Sequence, residues 1–395
     1  MLGDRSQFPD LAHLAYFNHA AIAPPSTRVQ AAIGNALEDY SKLGAAAWPM
    51  YRDQRDRLRG KLAQLVGATP ADLALVASTS QGIVDIAMCF PWRKGDRVIL
   101  FEGEFPANIT PWQRAAELFG VEVTMLDVRA FERGEGLLAL ERALEQKPAR
   151  LVAVSAVQFQ TGFRMPLEAI VARAHAAGAE VFVDGIQAVG ATPIDVRETP
   201  VDYLVAGSHK WLMGVEGCAM LYVHPDRAAA LRPNLASWLS HEDGASFLFE
   251  GEGHLRYDRP IRSRPDFLEI GTMNMLGFAA LEAAVEPLLE IGPATIWKHA
   301  NAILDRLESG LVPLGFTSLR AADPAGRSTI LSLQPPAALR ANADRIRLFE
   351  ALAEAGLGLA MPDGLFRFSP HWPNDTEQAE PVVRCVREQI DRLGR

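Results

Sequence analysis

A lysine in an apolar setting is the residue of this sequence whose position most needs a chemical reason. Lys210 follows the strand-like run DYLVA (202–206) and directly precedes Trp211 and Leu212. Lysines are almost always solvated, so a lysine after a buried strand needs a function that uses its amine. An imine with an aldehyde cofactor is one such function, because it removes the charge and exploits the readily lowered pKa of a lysine.

Asp184 and Gln187 lie one strand earlier, in the segment VFVDGIQAVG (181–190). Asp184 ends an apolar run, and ligands of open parallel sheets bind at the carboxyl ends of the strands. A turn or a helix cap is the ordinary role of an aspartate after a strand. Because Lys210 follows Asp184 by 26 residues, at the end of the next strand, a shared ligand site is the better interpretation.

These segments resemble a known family. DGIQAVG (184–190) followed by GSHKW (207–211) is similar to the class V aminotransferases, fold-type I enzymes that depend on pyridoxal 5′-phosphate (PLP). Cysteine desulfurases, selenocysteine lyases, kynureninases and isopenicillin N epimerase-like proteins belong to this family. The resemblance extends from YFNHAAIAP (16–24) to RFSPHWPNDTE (367–377) and does not single out one reaction. It implies a homodimer whose subunits share their active sites.

The resemblance implies a cofactor role for each matching residue. Lys210 would hold PLP as a Schiff base and, once the substrate displaces it, act as the base that moves the α-proton. Asp184 would keep the pyridinium nitrogen protonated, so that the ring acts as an electron sink. The other implied contacts are Gln187 and Gln158 at the phenolic oxygen, Phe105 on the ring face, Thr79, Ser80, Ser208 and His209 at the phosphate, and Thr272 at the phosphate of the neighbouring subunit.

Three of these residues have ordinary alternatives. Thr79 and Ser80 lie between a strand and a helix, where they can offer hydroxyl and amide donors to an anion. Ser80 can equally be the N-cap of that helix, and both roles are compatible. Phe105 can be a core residue, as phenylalanines commonly are. Ser208 lies two residues before the lysine, whereas desulfurase-like members have their hydroxyl three residues before it.

Arg367 and His19 are the candidates for substrate binding. Arg367 is similar to the family's arginine that clamps the substrate α-carboxylate, a bidentate task that suits a guanidinium. A solvated surface arginine is the alternative. His19 could line the substrate pocket or be a hydrogen-bonded structural histidine. The long segment 240–266, which contains Arg262 and Arg264, could bind a second carboxylate of the substrate.

The positions of the cysteines argue against one reaction of this family, cysteine desulfuration through a protein persulfide. Desulfurases need a mobile cysteine shortly before the carboxylate-binding arginine, and the segment 351–366 contains none. Cys89, Cys218 and Cys385 are predicted to be buried small hydrophobic residues. The predicted function is therefore an aminotransferase or epimerase-like reaction that passes through an external aldimine and α-proton abstraction from an amino acid. A C–S or C–Se lyase without a protein persulfide, and a non-catalytic binding module, remain as alternatives.

The elements that position these residues follow from apolar runs. Seven short runs alternate with helical patterns, and several are apolar at consecutive positions, which is typical of parallel strands covered by helices. The sequence predicts an α/β fold with a large domain (16–270) around a mostly parallel seven-stranded sheet. Long helical patterns predict a smaller α+β domain (271–395), joined by the segment 1–15. The seven runs are 73–78, 97–101, 121–126, 151–155, 180–184, 202–206 and 218–223.

Composition argues against several other classes. The net charge is −9, and no run of lysines and arginines suits a nucleic acid. No apolar run approaches the roughly 20 residues of a membrane-spanning helix, and the first residues do not resemble a signal peptide. Three scattered cysteines support neither a disulfide framework nor a zinc site, so no metal is expected. These features together predict a cytoplasmic enzyme that acts on a small molecule.

Overall fold

The computed structural model describes residues 2–339 and 341–393. The chain begins with the two-residue strand β1 (Ala15–Tyr16) and two long helices, α1 (Thr27–Leu43) and α2 (Trp48–Val66). The hydroxyl of Ser26 caps α1 by accepting a hydrogen bond from the N–H of Val29. No helix in these two described ranges is long and apolar enough to cross a membrane.

The predicted seven-stranded sheet is confirmed, and each of the seven runs forms one strand. The order across the sheet is the second, eighth, seventh, sixth, fifth, third and fourth strand of the chain, and only the eighth runs antiparallel to its neighbours. In chain order the strands are β2 (Leu73–Val76), β3 (Arg97–Glu102), β4 (Glu122–Asp127), β5 (Leu151–Ser155), β6 (Glu180–Asp184), β7 (Tyr203–Gly207) and β8 (Ala219–Val223).

Apolar side chains cover both faces of this sheet. One cluster includes Val152, Val154 and Val181, and the other includes Trp112 and Phe182. Alternate residues of one strand therefore point into different clusters, which explains why the strands are apolar at consecutive positions. The helices that follow the strands are α3 (Thr79–Cys89), α4 (Thr110–Phe119), α5 (Arg129–Glu132), α6 (Gly136–Gln146), α7 (Leu167–Ala176) and α8 (Pro225–Ala228).

The C-terminal part has its own apolar core around a three-stranded antiparallel sheet. The helical stretch within 273–315 is divided into two helices, because Gly292 ends the first with a φ of 84° and Pro293 begins the second. The elements are α9 (Met275–Ile291), α10 (Pro293–Leu311), β9 (Thr317–Ser318), β10 (Leu331–Gln334), α11 (Asn342–Glu354), β11 (Leu357–Gly358), β12 (Phe366–Phe368) and α12 (Ala379–Leu393).

Part of the N-terminal segment pairs with the C-terminal part of the chain. β1 pairs in parallel with β11, so residues 15–16 lie against the C-terminal part. The division into domains at residue 270 stays a prediction. Because β2, β3, β5, β6 and β7 run in the same direction, their carboxyl ends lie along one edge of the large sheet, which we call the carboxyl edge.

Candidate active site

Lys210 lies at the carboxyl edge, in the turn that follows β7. Burial lowers the pKa of its amine to about 8, with the negative charge of Asp184 opposing this and the positive charge of Arg367 adding to it. Its Nζ is 5.8 Å from the centroid of the Phe105 ring. A lysine with this pKa carries an appreciable fraction of neutral amine near pH 7, and the neutral amine is the form that attacks an aldehyde.

Asp184 ends β6, beside β7, and its side chain is almost completely buried. One carboxylate oxygen accepts a hydrogen bond of 3.0 Å from the N–H of Ile186. Burial raises the pKa of Asp184 to about 7, and the nearby charge of Glu104 contributes to the increase. No described residue forms an ion pair with Asp184. A buried carboxylate of this kind is suited to a cationic or N–H-bearing ring that lies against it.

A group of donors suited to a phosphate lies at the N-terminus of α3. The hydroxyl of Thr79 is buried and has no hydrogen-bond partner in the described part of the chain. The N–H groups of Thr79 and Ser80, at the first two positions of the helix, also lack intrahelical acceptors. A Cβ placed on Gly207 would lie 2.9 Å from the Thr79 hydroxyl and 3.5 Å from Cε1 of His209, so all three residues meet at this point.

Two details of this region differ from the sequence-based expectations or add to them. Ser78, not Ser80, is the N-cap of α3, because its hydroxyl accepts a hydrogen bond from the N–H of Gln81. Ser208 is fully buried, and its hydroxyl donates to the carbonyl of Val215 and lies 3.0 Å from Sγ of Cys218. The hydroxyl of Ser208 is therefore already engaged within its own turn, and its predicted phosphate contact stays a prediction.

Arg367 is the central residue of β12 and is only 4% exposed, so the interpretation as a surface arginine is wrong. One terminal nitrogen donates to the carbonyl of Phe159 at 2.7 Å, while Nε has no acceptor among the described residues. Burial lowers the pKa of Arg367 to about 10. No described carboxylate pairs with this guanidinium. An uncompensated buried cation is costly, and an anionic ligand would offset that cost.

Phe105 is 48% exposed, so the interpretation as a core residue is also wrong. Its ring contacts Phe159 edge-to-face at a centroid distance of 5.3 Å. Phe159 thus links two predicted site residues, because its carbonyl accepts from Arg367 and its ring contacts Phe105. The exposed face of Phe105 is available to a planar ring held beside Lys210.

Comparisons with known proteins identify the family. The family model for class V aminotransferases matches residues 15–336. The chain belongs to the class V aminotransferase family. It is 29% identical to the uncharacterized aminotransferase YcbU of Bacillus subtilis over 306 residues, which are 76% of each chain. It is 30% identical to a cysteine desulfurase of Pectobacterium atrosepticum over 253 residues, 63% of this chain and 59% of the other.

Solved structures agree with this assignment. The chain superimposes on a variant of C-DES with glycine covalently linked to its PLP cofactor, with a TM-score of 0.86 and 26% identity over 98% of this chain and 99% of the other. A complex of the cystine C–S lyase C-DES with cysteine persulfide gives 0.83 and 25% identity over 97% and 99%. The protein is a PLP-dependent enzyme, and the donors at α3, the free carboxylate of Asp184 and the lowered pKa of Lys210 fit that cofactor.

Glu104 is a residue of this class V site that the sequence did not single out. It follows β3, is 7% exposed, and accepts hydrogen bonds from the N–H and the hydroxyl of Ser155 and from Nε2 of Gln158. Ser155 is the register partner of Asp184, so Glu104, which follows β3, contacts the strand that lies beside that of Asp184. Burial raises the pKa of Glu104. The available signal was a carboxylate three residues after the RVILF run and directly before Phe105.

Gln187 is buried, and its side-chain amide is hydrogen-bonded at both ends. Its oxygen accepts from the indole N–H of Trp211 at 2.8 Å, and its nitrogen donates to the carbonyl of Ala20 at 3.0 Å. The carbonyl of Trp211 in turn accepts from Nε2 of His371 at 2.9 Å. Gly190 lies against the same carbonyl with a φ of 109°. The loop after β6 is thereby fixed to the loop that carries Lys210.

Residues 17–23 join the Lys210 loop to the strand of Arg367. Nδ1 of His19 lies 3.1 Å from the carbonyl of Ser369, to which it donates, and the N–H of Ala20 donates to the hydroxyl of Ser369. The N–H of Ala23 donates to the carbonyl of His209 at 2.7 Å. Burial lowers the pKa of His19 to about 4, so the ring is neutral near pH 7. His19 is hydrogen-bonded as a structural histidine would be, and its substrate role stays a prediction.

The three cysteines are buried, as predicted. Burial raises the pKa values of Cys89 and Cys218 to about 11, and it also raises that of Cys385. None is a thiolate near pH 7, and a thiol is a poor nucleophile.

Thr272 is exposed in the loop before α9 and makes no hydrogen bond to the described residues of the phosphate site in the same chain.

Proposed function

We propose that this enzyme removes the α-proton of an amino-acid substrate and catalyses an aminotransferase or epimerase-type reaction. The observation that carries the proposal is the buried guanidinium of Arg367, which has no carboxylate partner among the described residues and whose charge lowers the pKa of Lys210. A carboxylate clamp beside an amine of lowered pKa is the arrangement that α-proton removal from an amino acid needs.

The residues at the carboxyl edge would hold the cofactor. The Thr79 hydroxyl, the backbone N–H groups of Thr79 and Ser80 at the start of α3, and His209 would bind its phosphate. Asp184 would bind the ring nitrogen, and Phe105 would cover one ring face. The predicted contacts of Gln158 and Gln187 to the phenolic oxygen and of Ser208 to the phosphate remain part of this proposal. When bound, PLP supplies an electron sink for charge that develops on the substrate Cα.

Arg367 would orient the substrate by binding its α-carboxylate through two N–H groups. Nζ of Lys210 would then take the α-proton from the substrate and hold it for return. The burial that lowers the pKa of Lys210 makes its neutral amine available as a base near pH 7. His19, on the segment that links these two residues, would line the substrate pocket.

A C–S lyase reaction without a protein persulfide is the second candidate. The likeness to C-DES, which is described as a cystine C–S lyase, favours it. The three buried cysteines, whose pKa values are raised, argue against a desulfurase that forms a persulfide on its own chain. A lyase of this kind would use the same clamp and the same base. It would differ from an aminotransferase or an epimerase because a sulfur-containing group leaves the substrate β-carbon.

Self-association and location are further parts of the proposal. The segment 238–270 exposes several large apolar side chains, among them Trp238, Leu255 and Tyr257. Exposed apolar patches commonly mark protein interfaces. We therefore infer a homodimer, with Thr272, two residues after this segment, reaching the phosphate of the partner. The cytoplasm is the location expected for such an enzyme.

Removal of the α-proton is common to these candidate reactions and can be tested before the reaction itself is identified. The holoenzyme is incubated in D₂O with a panel of amino acids, and loss of the α-proton signal is followed by NMR. Exchange is expected with at least one amino acid, and Lys210→Ala should abolish it. Arg367→Lys should raise KM for exchange at least ~10-fold, because a point charge replaces a bidentate clamp. A wild-type holoenzyme that exchanges no α-proton would support a non-catalytic binding module.

The type of reaction is then assigned from the products of the same incubations. A keto acid that forms only when a 2-oxo acid acceptor is added indicates an aminotransferase. Inversion at Cα without an acceptor indicates an epimerase. Release of sulfide or a persulfide from cysteine or cystine indicates the lyase and would contradict the main proposal.

A further inference from the structure

A second polar cavity lies between the start of α2 and the segment 239–269. Its volume is about 690 Å³, and its wall includes Arg55, Arg59, Arg262 and the aromatic residues Trp48 and Phe249. Those two rings stack with a centroid distance of 5.1 Å. None of the active-site residues described above lines this space, which we call the Arg55 cavity.

The wall of the Arg55 cavity has three buried or half-buried arginines and two such carboxylates, and the other carboxylates that line it, of Asp56, Glu242, Asp243 and Glu250, are exposed. Arg59 pairs with Glu269 at 2.6 Å, and Arg262 pairs with Asp266 at 2.9 Å. Arg264 also pairs with Asp266, so the two arginines expected to bind a second carboxylate of the substrate already share one acid of their own chain. Arg55 is a further cation on the same wall, beyond these arginines that pair with acids.

Arg55 has no acceptor of its own. Its side chain is only 8% exposed, and it forms no recorded hydrogen bond or ion pair with any residue in the two described ranges. Its Nε is buried without an acceptor. Burial lowers its pKa, and the charge of Glu269 opposes that effect without direct contact. A guanidinium buried in this state is unfavourable by itself, and an oxygen anion in the cavity would compensate it.

We propose that the Arg55 cavity binds a carboxylate or a similar oxyanion through the guanidinium of Arg55. A free small molecule and an acidic side chain of a second copy of this chain carry the same chemistry, and the experiment separates these two sources. The stacked rings of Trp48 and Phe249 give the cavity an apolar wall beside the cation. This site is distinct from the proposed catalytic function and does not depend on it.

The first test measures binding of succinate and of inorganic phosphate by calorimetry. The holoenzyme carries Arg367→Gln, so that the substrate clamp does not contribute to binding. Arg55→Met in this background is expected to weaken binding of at least one probe by ~10-fold or more. Arg52→Met is the matched control, because Arg52 also lines the cavity but is exposed and already pairs with Asp53. This control should bind like the parent.

The second test covers an acid supplied by another copy. Sedimentation of the wild-type and Arg55→Met holoenzymes over a range of concentrations gives the dissociation constant of self-association. If the acid belongs to the second copy, the substitution should raise this constant at least ~10-fold, and neither probe should bind. If Arg55→Met changes neither probe binding nor self-association, the proposal is overturned.

Thermal unfolding tests whether Arg55 has a purely structural role. In buffer without the probes, at a concentration where the chain is monomeric, Arg55→Met should unfold at the same temperature as wild type or a higher one. The reason is that methionine removes an unpaired buried charge while keeping most of the volume. A lower unfolding temperature, with unchanged probe binding and self-association, would show that Arg55 only stabilises the fold and would overturn the proposal. Arg55→Lys, which keeps the charge, replaces Arg55→Met if that variant does not fold.

Discussion

Four ionisable side chains of the proposed site are buried or half-buried without an ion-pair partner among the described residues. They are Glu104, Asp184, Lys210 and Arg367, and none of them forms a salt bridge with another described residue. Burying charges in this way costs stability unless the charges are compensated. Ligands would complete this arrangement, and in the proposed function Lys210 and Asp184 would bind the cofactor and Arg367 would bind the substrate.

Glu104→Gln tests how the second carboxylate acts on the first. The charge of Glu104 raises the pKa of Asp184 and would favour a proton shared with the ring nitrogen. Removing the charge should slow α-proton exchange by about 10-fold with little change in KM, because Glu104 does not contact Arg367. Glu102→Gln, an exposed residue two positions earlier, is the matched control and should behave like wild type. A rise in KM at constant kcat would contradict this role.

The pKa of Lys210 predicts how the apoenzyme takes up PLP. Only the neutral amine reacts, so below pH 8 the rate of reconstitution should increase about 10-fold per pH unit and level off above about pH 8. An ordinary lysine would level off near pH 10.5 instead. Arg367→Met removes a nearby positive charge and should move the midpoint to higher pH. The measurement is the growth of the visible absorption band after mixing, and a midpoint that Arg367→Met leaves unchanged would refute the coupling.

At the scale of elements, the site depends on close contacts between loops that follow different strands. The loop after β6, with Gln187 and Gly190, contacts the loop after β7 through the indole and the carbonyl of Trp211. His371, from the segment after β12, donates to the same carbonyl. The positions of Asp184, Lys210 and Arg367 are therefore linked through Trp211.

Gly190→Ala should disrupt this linkage. A Cβ on Gly190 would lie 2.2 Å from the carbonyl oxygen of Trp211, and the residue has a φ of 109°. We expect a PLP affinity at least ~10-fold lower and a clear fall in unfolding temperature, because backbone has to move. Gly178→Ala is the matched control, since it also has a positive φ but a Cβ there meets nothing within 4 Å. Equal effects of the two substitutions would mean that backbone strain alone is responsible.

The sequence predicted the elements better than it predicted the contacts between them. All seven strands follow from apolar runs that both faces of a sheet require, whereas their order across the sheet could not be predicted from those runs. Lys210, Asp184 and Arg367 were found because motifs carry them. Glu104 and Arg55 were not found, because an acidic residue after a strand and an arginine on a helix ordinarily face water. The surroundings of both include residues distant in sequence, such as Ser155, which is hydrogen-bonded to Glu104, and Glu269, whose charge acts on Arg55.

At the scale of the whole molecule, the proposed dimer can be tested by mixing two inactive chains. Lys210→Ala lacks the base, and Thr272→Glu would repel the phosphate in the partner's site. If Thr272 acts across the interface, a mixed dimer contains one site with Lys210 from the second variant and Thr272 from the first. Activity should therefore return when the two variants are unfolded and refolded together.

The control for the mixing experiment is each variant refolded alone, which should remain inactive. Recovery of activity only in the mixture supports shared sites. Absence of recovery, with a mixed dimer demonstrated by differently tagged chains, would place Thr272 outside the partner's site. Activity of Thr272→Glu by itself would also remove the basis for that role.

The hydrogen bonds between His19 and Ser369 have a consequence for how the protein is made. The two residues are 350 positions apart, so the first leaves the ribosome long before the second is added. At ~5–20 residues per second, the interval is roughly 20–70 s. The nascent chain carries Lys210 and the loops after β6 and β7 during part of this time without the strand of Arg367. In the proposed function, translation would therefore deliver the lysine that reacts with the aldehyde before the arginine that binds the substrate. A chain that stops before Arg367 keeps the lysine without that arginine.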